Sequence, residues 1–323
     1  MTRARWRLVA RSGSVLGLLS VLALLGCAAP GDERPPPRVE LAAGVAGGIY
    51  AEYGVGLADV LTRELDTEVR AVSTDGSLDN LRRVGSGSAL IGFAQSDTAA
   101  DAIAGTGAFS EPLPIVAMAR LYEEYVHVVV RADSEIAELG DLAGHTVSLG
   151  APNSGVAAAS ARVLEAAGVA LERIDNPKLG LDESLAALRA GTVEGFFWVG
   201  GLPTPGLHEL SRDVPIRLVS VDQALVERLN ADYGGVYRIA EFPAGLYGRD
   251  EVTVTMTVPN YLIVSEDAPD TLVRDALAAV FRTRAELATR VPTAALLDRR
   301  LAIFTAPLDL HPGAAAFYRD TKF

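Results

Sequence analysis

A short apolar segment, a glycine-rich turn and an amphipathic segment follow one another in residues 39–65. Residues 39–43 are apolar and compatible with a β-strand, residues 44–48 contain three glycines, and residues 49–65 carry apolar side chains at helical spacing. This pattern predicts a strand and a helix whose first backbone amides lack an intrahelical partner. Because a helix start is partly positive and glycines leave its backbone accessible, the turn is either an anion-binding site or a plain connection.

The same order of strand, polar turn and helix occurs twice more. Residues 68–72 read as a strand before a helix capped by Ser77, and residues 89–93 read as a buried strand before a helix capped by Ser96 or Asp97. This alternation predicts a parallel α/β sheet, and open α/β sheets bind ligands at the carboxyl ends of their strands. We therefore expect a ligand site in the turns that follow the strands.

A second α/β set follows, with long β-rich runs before and after it. Residues 146–149 read as a strand and residues 156–167 as an alanine-rich helix. The β-rich runs are residues 114–120, 125–131 and 252–264. The same α/β theme thus occurs twice, which predicts two units in one chain.

The charge balance argues against a nucleic-acid partner. The 323 residues have a formal net charge of −12, and four arginines but no acidic residue precede Cys27. The chain from Cys27 onward therefore has 25 basic and 41 acidic residues, a net charge of −16, and no basic patch would offset the repulsion of phosphates. An acidic protein can still contain a locally positive pocket for a small anion.

Residues 1–26 have the pattern of a bacterial lipoprotein signal peptide. A basic start is followed by an apolar run at residues 14–25, too short to span a bilayer, and then by Leu24-Leu25-Gly26-Cys27, which resembles a lipobox. We expect Cys27, the only cysteine, to carry a lipid and residues 27–38 to be a stiff, proline-rich tether. The alternative is an ordinary signal peptide or a buried helix with a chance cysteine.

Six short motifs occur along the chain in a fixed order. They are Gly47-Gly48-Ile49-Tyr50, Thr74-Asp75-Gly76-Ser77-Leu78-Asp79-Asn80-Leu81, Ala94-Gln95-Ser96-Asp97, Leu121-Tyr122-Glu123-Glu124-Tyr125-Val126-His127-Val128-Val129-Val130-Arg131, Gly150-Ala151-Pro152-Asn153-Ser154-Gly155 and His311-Pro312-Gly313-Ala314. In this order and spacing they resemble the TAXI family of periplasmic solute receptors for TRAP transporters, over nearly all of the chain after the tether.

The resemblance implies a two-lobed α/β clamshell of the type II periplasmic binding protein kind, each lobe a mixed or parallel sheet flanked by helices. Lobe 1 would be residues 39–130 and 259–323, and lobe 2 would be the inserted residues 131–258. The hinge would lie near residues 125–131 and 252–264.

The function implied is that of a membrane-anchored, extracytoplasmic binding protein. It would capture a small anionic organic solute, a dicarboxylate or an acidic amino acid such as glutamate, and pass it to the membrane subunits of a TRAP transporter. The protein would be a monomer held at the lipid bilayer by its N-terminal lipid, without cofactor, metal or nucleic acid. The alternatives are a ligand-sensing module for a membrane kinase and an enzyme on the same fold, since fold does not fix function.

The motifs and the glycine turn together predict thirteen ligand-binding residues. These are Gly47, Gly48, Ile49, Tyr50, Thr74, Ser77, Gln95, Tyr122, Ser154, Gly155, Val156, Trp198 and Gly201. For three of them a purely structural role is the alternative to ligand binding. Tyr50 and Trp198 could be core aromatics, and Ser77 could serve only as an N-cap.

Two departures from the family pattern bear on the ligand. Ala43 and Ala46 stand in the first loop, where the family usually has hydroxyls, and Asp75 replaces a glycine in the second loop. A carboxylate at position 75 would repel an anion unless it faces solvent or pairs with an amine of the ligand.

No motif indicates catalysis. The four histidines have no metal-ligand spacing, and residues 85–88 do not satisfy the G-x-S-x-G pattern of a nucleophile elbow. We therefore expect a binding protein rather than an enzyme.

Overall fold

A computed structural model describes residues 39–65 and 67–321. The predicted signal peptide, the tether and Cys27 lie outside these residues. Among the described helices, none is long and apolar enough to cross a membrane.

The described chain forms two groups of elements joined by two long strands. Lobe 1 contains β1 (Val39–Ala42), α1 (Ile49–Leu65), β2 (Val69–Val72), α2 (Ser77–Gly85), β3 (Ile91–Gln95), α3 (Ser96–Ala104), α8 (Asp270–Arg290) and α9 (Pro312–Asp320). Lobe 2 contains β5 (Val147–Ser148), α4 (Gly155–Ala166), α5 (Leu181–Ala190), β6 (Gly195–Gly200), α6 (Pro205–Asp213), β7 (Ile216–Leu218), α7 (Gln223–Tyr233) and β8 (Arg238–Phe242). The joining strands are β4 (Ile115–Arg131) and β9 (Thr253–Ser265).

One mixed sheet of nine strands runs through both lobes. Its order is β2-β1-β3-β9-β4-β6-β5, with β7 on β4 and β8 on β9. The pairs β1–β2, β1–β3 and β5–β6 are parallel, as the alternation of strands and helices predicts. The other pairs are antiparallel, because β4 and β9 pass through the sheet in opposite directions. The expected α/β class, with a mixed sheet flanked by helices, is thus confirmed.

The strands β4 and β9 pair with each other across the junction of the lobes. Their register extends from Ile115 opposite Ser265 to Tyr125 opposite Thr257, with a shift between Arg120 and Tyr122. The separate β runs expected at residues 114–120 and 125–131 are one continuous strand, since the intervening residues stay paired to β9. The lobe boundaries expected near residues 131 and 258 remain a prediction.

Each lobe has its own apolar core. In lobe 1, α1 and α8 pack on one face of the sheet around buried Tyr53, Leu57 and Phe93. In lobe 2, separate clusters cover the two faces of the sheet, one around Val128 and one around Phe196. Burial on both faces explains why these strands read as apolar runs.

The predicted N-caps were wrong for both helices: Ser77 was expected for α2, and Ser96 or Asp97 for α3. Ser77 and Ser96 are the first residues of α2 and α3, and their N-caps are Gly76 and Gln95. Gly76 has φ 117° and ψ −151°, a conformation open to glycine but not to a side chain. Gln95 has an ordinary extended backbone, with φ −69° and ψ 142°, and the helix begins at the next residue.

Candidate functional site

A cavity of about 50 Å³ lies between the lobes. Its walls come from the turns after β1, β2 and β5 and from the carboxyl ends of β3 and β6, where the sequence predicts a ligand site. The lining residues are Gly44, Val45, Gly48, Ile49, Tyr50, Asp75, Gly76, Ser77, Gln95, Glu124, Gly150, Ala151, Ser154, Gly155, Val156, Leu179, Gly180, Leu181, Phe197, Trp198, Val199 and Gly200. None of these described residues is a lysine, arginine or histidine.

Four helices begin at the cavity, two from each lobe. In lobe 1, α1 starts at Ile49 and α2 at Ser77; in lobe 2, α4 starts at Gly155 and α5 at Leu181. The first amides of each helix have no intrahelical acceptor, and the helix dipole makes each start partly positive. The wall is therefore positively polarised without any cationic side chain.

The two glycines before α1 have different roles. Gly47 has φ +74°, so it makes the turn. Gly48 has no such conformation, but a Cβ built on it would lie 3.4 Å from Cη2 of Trp198 in lobe 2. A Cβ on Gly47 would lie 2.6 Å from Oδ1 of Asp182, also in lobe 2. Both glycines thus leave space between the lobes, and Gly47 in addition shapes the backbone.

The lobes are closed over the cavity. A side chain at Gly155 of lobe 2 would overlap Oε1 of Gln95 in lobe 1. Nearby, the Asp79 amide donates to the Asn153 carbonyl at 3.2 Å. The absence of a side chain at Gly155 lets the start of α4 approach the end of β3.

A buried carboxyl group, Glu124 of β4, lines the cavity and is only 2% exposed. Its Oε2 accepts hydrogen bonds from Nε2 of Gln95 at 3.0 Å and from the hydroxyl of Tyr50 at 3.4 Å. Its Oε1 accepts one from the hydroxyl of Tyr122 at 3.2 Å. Burial raises the pKa of Glu124 to about 8, although these hydrogen bonds, with Gln95 foremost, oppose the rise.

Glu124 was missed as a site residue by the sequence reading. Two register shifts in β4, between Ala117 and Ala119 and between Arg120 and Tyr122, interrupt the alternation of faces before Glu124. A useful indication was available, because Glu123 and Glu124 are two acidic residues inside a long apolar strand. A carboxylate in such a strand is costly unless it is partnered or functional.

Nine of the thirteen predicted binding residues line the cavity, and four do not. The nine are Gly48, Ile49, Tyr50, Ser77, Gln95, Ser154, Gly155, Val156 and Trp198. Whether they bind a ligand stays a prediction.

The other four predicted residues lie around the cavity wall. The Thr74 hydroxyl donates to Oδ1 of Asn80 at 2.6 Å, and the Tyr122 hydroxyl donates to Oε1 of Glu124 at 3.2 Å. A Cβ on Gly47 would meet Asp182, and a Cβ on Gly201 would meet Ile49. These contacts give the four residues a supporting place in the structure.

Of the departures noted in the sequence, only Asp75 lines the cavity. Asp75 lines the cavity and is exposed to solvent, while Ala43 is buried and Ala46 exposed. In the described part of the chain, no group of three histidine, cysteine, aspartate or glutamate side chains could hold a metal ion. To a ligand, the cavity offers backbone amides, side-chain hydroxyls, the side-chain amide of Gln95 and one buried carboxyl group.

Solved structures of low sequence identity share this fold. MatC from Rhodopseudomonas palustris with bound malate matches with a TM-score of 0.55 at 16% identity, over 82% of this chain and 91% of that one. PhnD1 from Prochlorococcus marinus in complex with methylphosphonate matches with a TM-score of 0.51 at 11% identity, over 80% of this chain and 90% of that one. A structure titled as a putative L-cystine ABC transporter from Listeria monocytogenes matches with a TM-score of 0.51 at 13% identity. The match covers 81% of this chain and 98% of that one. These likenesses confirm the two-lobed α/β fold.

The sequence itself matches one protein family over most of its length. The match covers residues 41–321, which include every described element from the second half of β1 to the end of α9. The chain belongs to the NMT1-like family.

Proposed function

We propose that this protein is an extracytoplasmic solute-binding protein that captures a small anionic organic solute in the cavity between its lobes. The observation that carries the proposal is the convergence of four helix starts, two from each lobe, on one closed cavity. Backbone amides at helix starts bind carboxylates and similar anions, and closure removes water from around them. The solute would be a dicarboxylate or an acidic amino acid.

The energy for binding would come from hydrogen bonds between amides and a charged acceptor. Such bonds contribute about 1.5–3 kcal/mol each, more than bonds between neutral groups. Because the helix starts belong to different lobes, only the closed protein could use all of them at once. The solute would therefore shift the protein from an open to a closed form.

Membrane attachment and the transporter partner rest on the sequence motifs. The lipobox-like end of the N-terminal segment supports a lipid anchor at Cys27, and the six ordered motifs support delivery to the membrane subunits of a TRAP transporter of the TAXI kind. The matched folds include a protein of an ABC transporter, so the class of permease needs its own test. Cross-linking of the protein in membranes, followed by mass spectrometry, should recover TRAP membrane subunits; recovery of an ABC permease would overturn this assignment.

Solute binding can be tested with two variants that add the same charge at different helix starts. Ser77→Asp adds a carboxylate at the start of α2 inside the cavity, and Thr271→Asp adds one in the first turn of α8, at an exposed position outside it. Both changes suit a helix start.

We expect isothermal titration calorimetry with small mono- and dicarboxylates and acidic amino acids to detect binding by the wild type. Thr271→Asp should bind equally well, and Ser77→Asp should lose at least tenfold in affinity, about 1.4 kcal/mol. Equal binding by both variants would place the solute elsewhere.

A further inference from the structure

The cavity combines a positively polarised wall with one buried acidic group. Glu124 lies on β4, the strand that passes from lobe 1 to lobe 2, and is the only fully buried carboxyl group among the described cavity residues. No cationic side chain lines the cavity to neutralise it. Burial favours the neutral form of Glu124 until a cation pairs with it, and the ionised form would repel an anion.

Three neutral groups donate hydrogen bonds to Glu124, and none of them neutralises its charge when it is ionised. The Gln95 amide and the hydroxyls of Tyr50 and Tyr122 all direct hydrogen atoms toward its oxygens. Tyr50 in turn accepts a hydrogen bond from Nδ2 of Asn260. The titratable groups around Glu124 are thus two buried tyrosines from α1 and β4, both with pKa values raised by burial, and neither brings positive charge.

A second observation, independent of the carboxyl group, is a buried acceptor without a donor. Gln95 is 3% exposed and lines the cavity, and its Oε1 has no hydrogen-bond partner among the described residues. Nε2 of the same amide is committed to Glu124, which fixes the orientation of Oε1 toward the start of α4 at Gly155. A buried acceptor left unpaired is costly, so this atom calls for a donor from the ligand.

A carboxylate cannot supply that donor, but a protonated amine can. An ammonium group carries three donors and a positive charge, which match the Glu124 oxygens and Oε1 of Gln95. Three of the four helix starts already have acidic residues in their first turn, among them Glu52, Asp79 and Asp182, so the helix dipoles alone do not offset a further buried negative charge. An ionised Glu124 pairs with the ammonium group of an amino acid, whereas beside a dicarboxylate it would add a third negative charge.

We propose that Glu124 is the specificity-determining residue of the site and selects, together with Oε1 of Gln95, a solute that carries a protonated amine as well as a carboxylate. The inference rests on the proposed function and narrows its solute class to amino acids, excluding simple dicarboxylates. The amine lies at Glu124, and the carboxylates lie at the helix starts.

Two matched pairs of probes test this directly: L-aspartate against succinate, and L-glutamate against glutarate. The members of each pair have the same carbon chain and carboxylates and differ only in the amine. We expect calorimetry at pH 7 to give at least tenfold tighter binding of the amino acid in each pair. Repeating the titrations in buffers of different ionisation enthalpy counts protons. Because burial keeps Glu124 protonated in the unliganded closed protein at pH 7, an amino acid whose amine pairs with its carboxylate should release close to one proton.

Two carboxamide variants separate Glu124 from the other cavity carboxylate. Glu124→Gln should abolish the preference for the amine, while Asp75→Asn, at the exposed cavity edge, should keep it. The wild-type comparison needs no variant and decides the matter if Glu124→Gln does not fold.

Equal affinity for both members of each pair, with no proton released, would overturn this inference. That result would mean that Glu124 is neutral in the complex, and the proposed function would stand. Loss of the preference in Asp75→Asn but not in Glu124→Gln would also overturn it. Binding of none of the four probes by folded wild-type protein would contradict both the proposed function and the inference.

Discussion

Arg162 of lobe 2 pairs with Asp97 of lobe 1. The arginine projects from α4 and donates to the carboxylate of Asp97 and also to that of Asp101, both on α3. The Asp97 side chain is fully buried, and the hydroxyl of Tyr237 in lobe 2 donates to it at 2.7 Å. The Arg162 guanidinium also stacks 4.5 Å from the ring centre of Tyr233. These contacts hold the two lobes together beside the cavity.

Removal of this arginine should weaken the closed form. Arg162→Gln leaves Asp97 buried without its cation whenever the lobes close, and breaking a buried pair from one side costs about 3–5 kcal/mol. Because only the closed form would bind the solute with both lobes, we expect affinity to fall at least tenfold. Small-angle scattering should show a larger radius of gyration for the unliganded variant.

A control for this change is Arg63→Gln. Arg63 donates to Glu286 at 3.0 Å, but both side chains are about half exposed, so solvent screens the pair and its loss should affect stability little. It joins α1 to α8 within lobe 1. If both variants change affinity and size alike, the Arg162 contacts do not control closure.

The glycines before α1 should respond differently to alanine. Gly48→Ala places a methyl group against Trp198 and next to the helix start, so ligand affinity should fall at least tenfold, about 1.4 kcal/mol, with little change in the unliganded melting temperature. Gly47→Ala should instead lower the melting temperature, because its left-handed backbone penalises a side chain by about 1–2 kcal/mol. If Gly48→Ala keeps full affinity but has a much lower melting temperature, both glycines are needed only for the geometry of the turn and not for ligand binding.

Glu124 should make the closed, unliganded protein less stable at higher pH. Its pKa is raised from an ordinary 4.5 to about 8, so the folded protein holds a proton there that the unfolded chain has lost. The stabilisation is complete below about pH 4.5 and disappears as pH rises through about 8. Melting temperatures between pH 5 and 8.5 should fall more for the wild type than for Glu124→Gln. Parallel curves would show that the carboxyl group is solvated.

Cys27 should carry the lipid anchor. Cys27→Ala, or treatment of wild-type cells with globomycin, should leave an unprocessed precursor on an immunoblot of the membrane fraction. The reason is that lipoprotein signal peptidase acts only after the cysteine is lipidated. Unchanged processing would indicate an ordinary signal peptide at residues 1–26.

Local sequence patterns determined much of the fold. The predicted helix at residues 49–65 matches α1, because one continuous apolar face begins directly after the glycine turn. By contrast, α6 and β8 were missed. The first is nine residues with few apolar side chains, and the second is mostly exposed, so neither has a clear periodic pattern.

The site was less predictable because it depends on contacts between distant parts of the chain. The helix starts were found from glycines and motifs, which are local features. Glu124 meets Gln95 and Tyr50 only after β4 has paired with β9 and a register shift has set its direction. The pairing of Arg162 with Asp97 likewise joins residues 65 positions apart. The hydrophobic periodicity of a single sequence does not indicate which distant residues come into contact.

The most direct test of the account is a crystal structure of the protein with the tightest-binding solute of the calorimetric series. We predict that its carboxylate oxygens lie within about 3 Å of backbone amides at the starts of helices from both lobes, α1 or α2 on one side and α4 or α5 on the other. A solute bound outside this cavity, or held there by one lobe alone, would contradict the central claim that the four helix starts form the binding site.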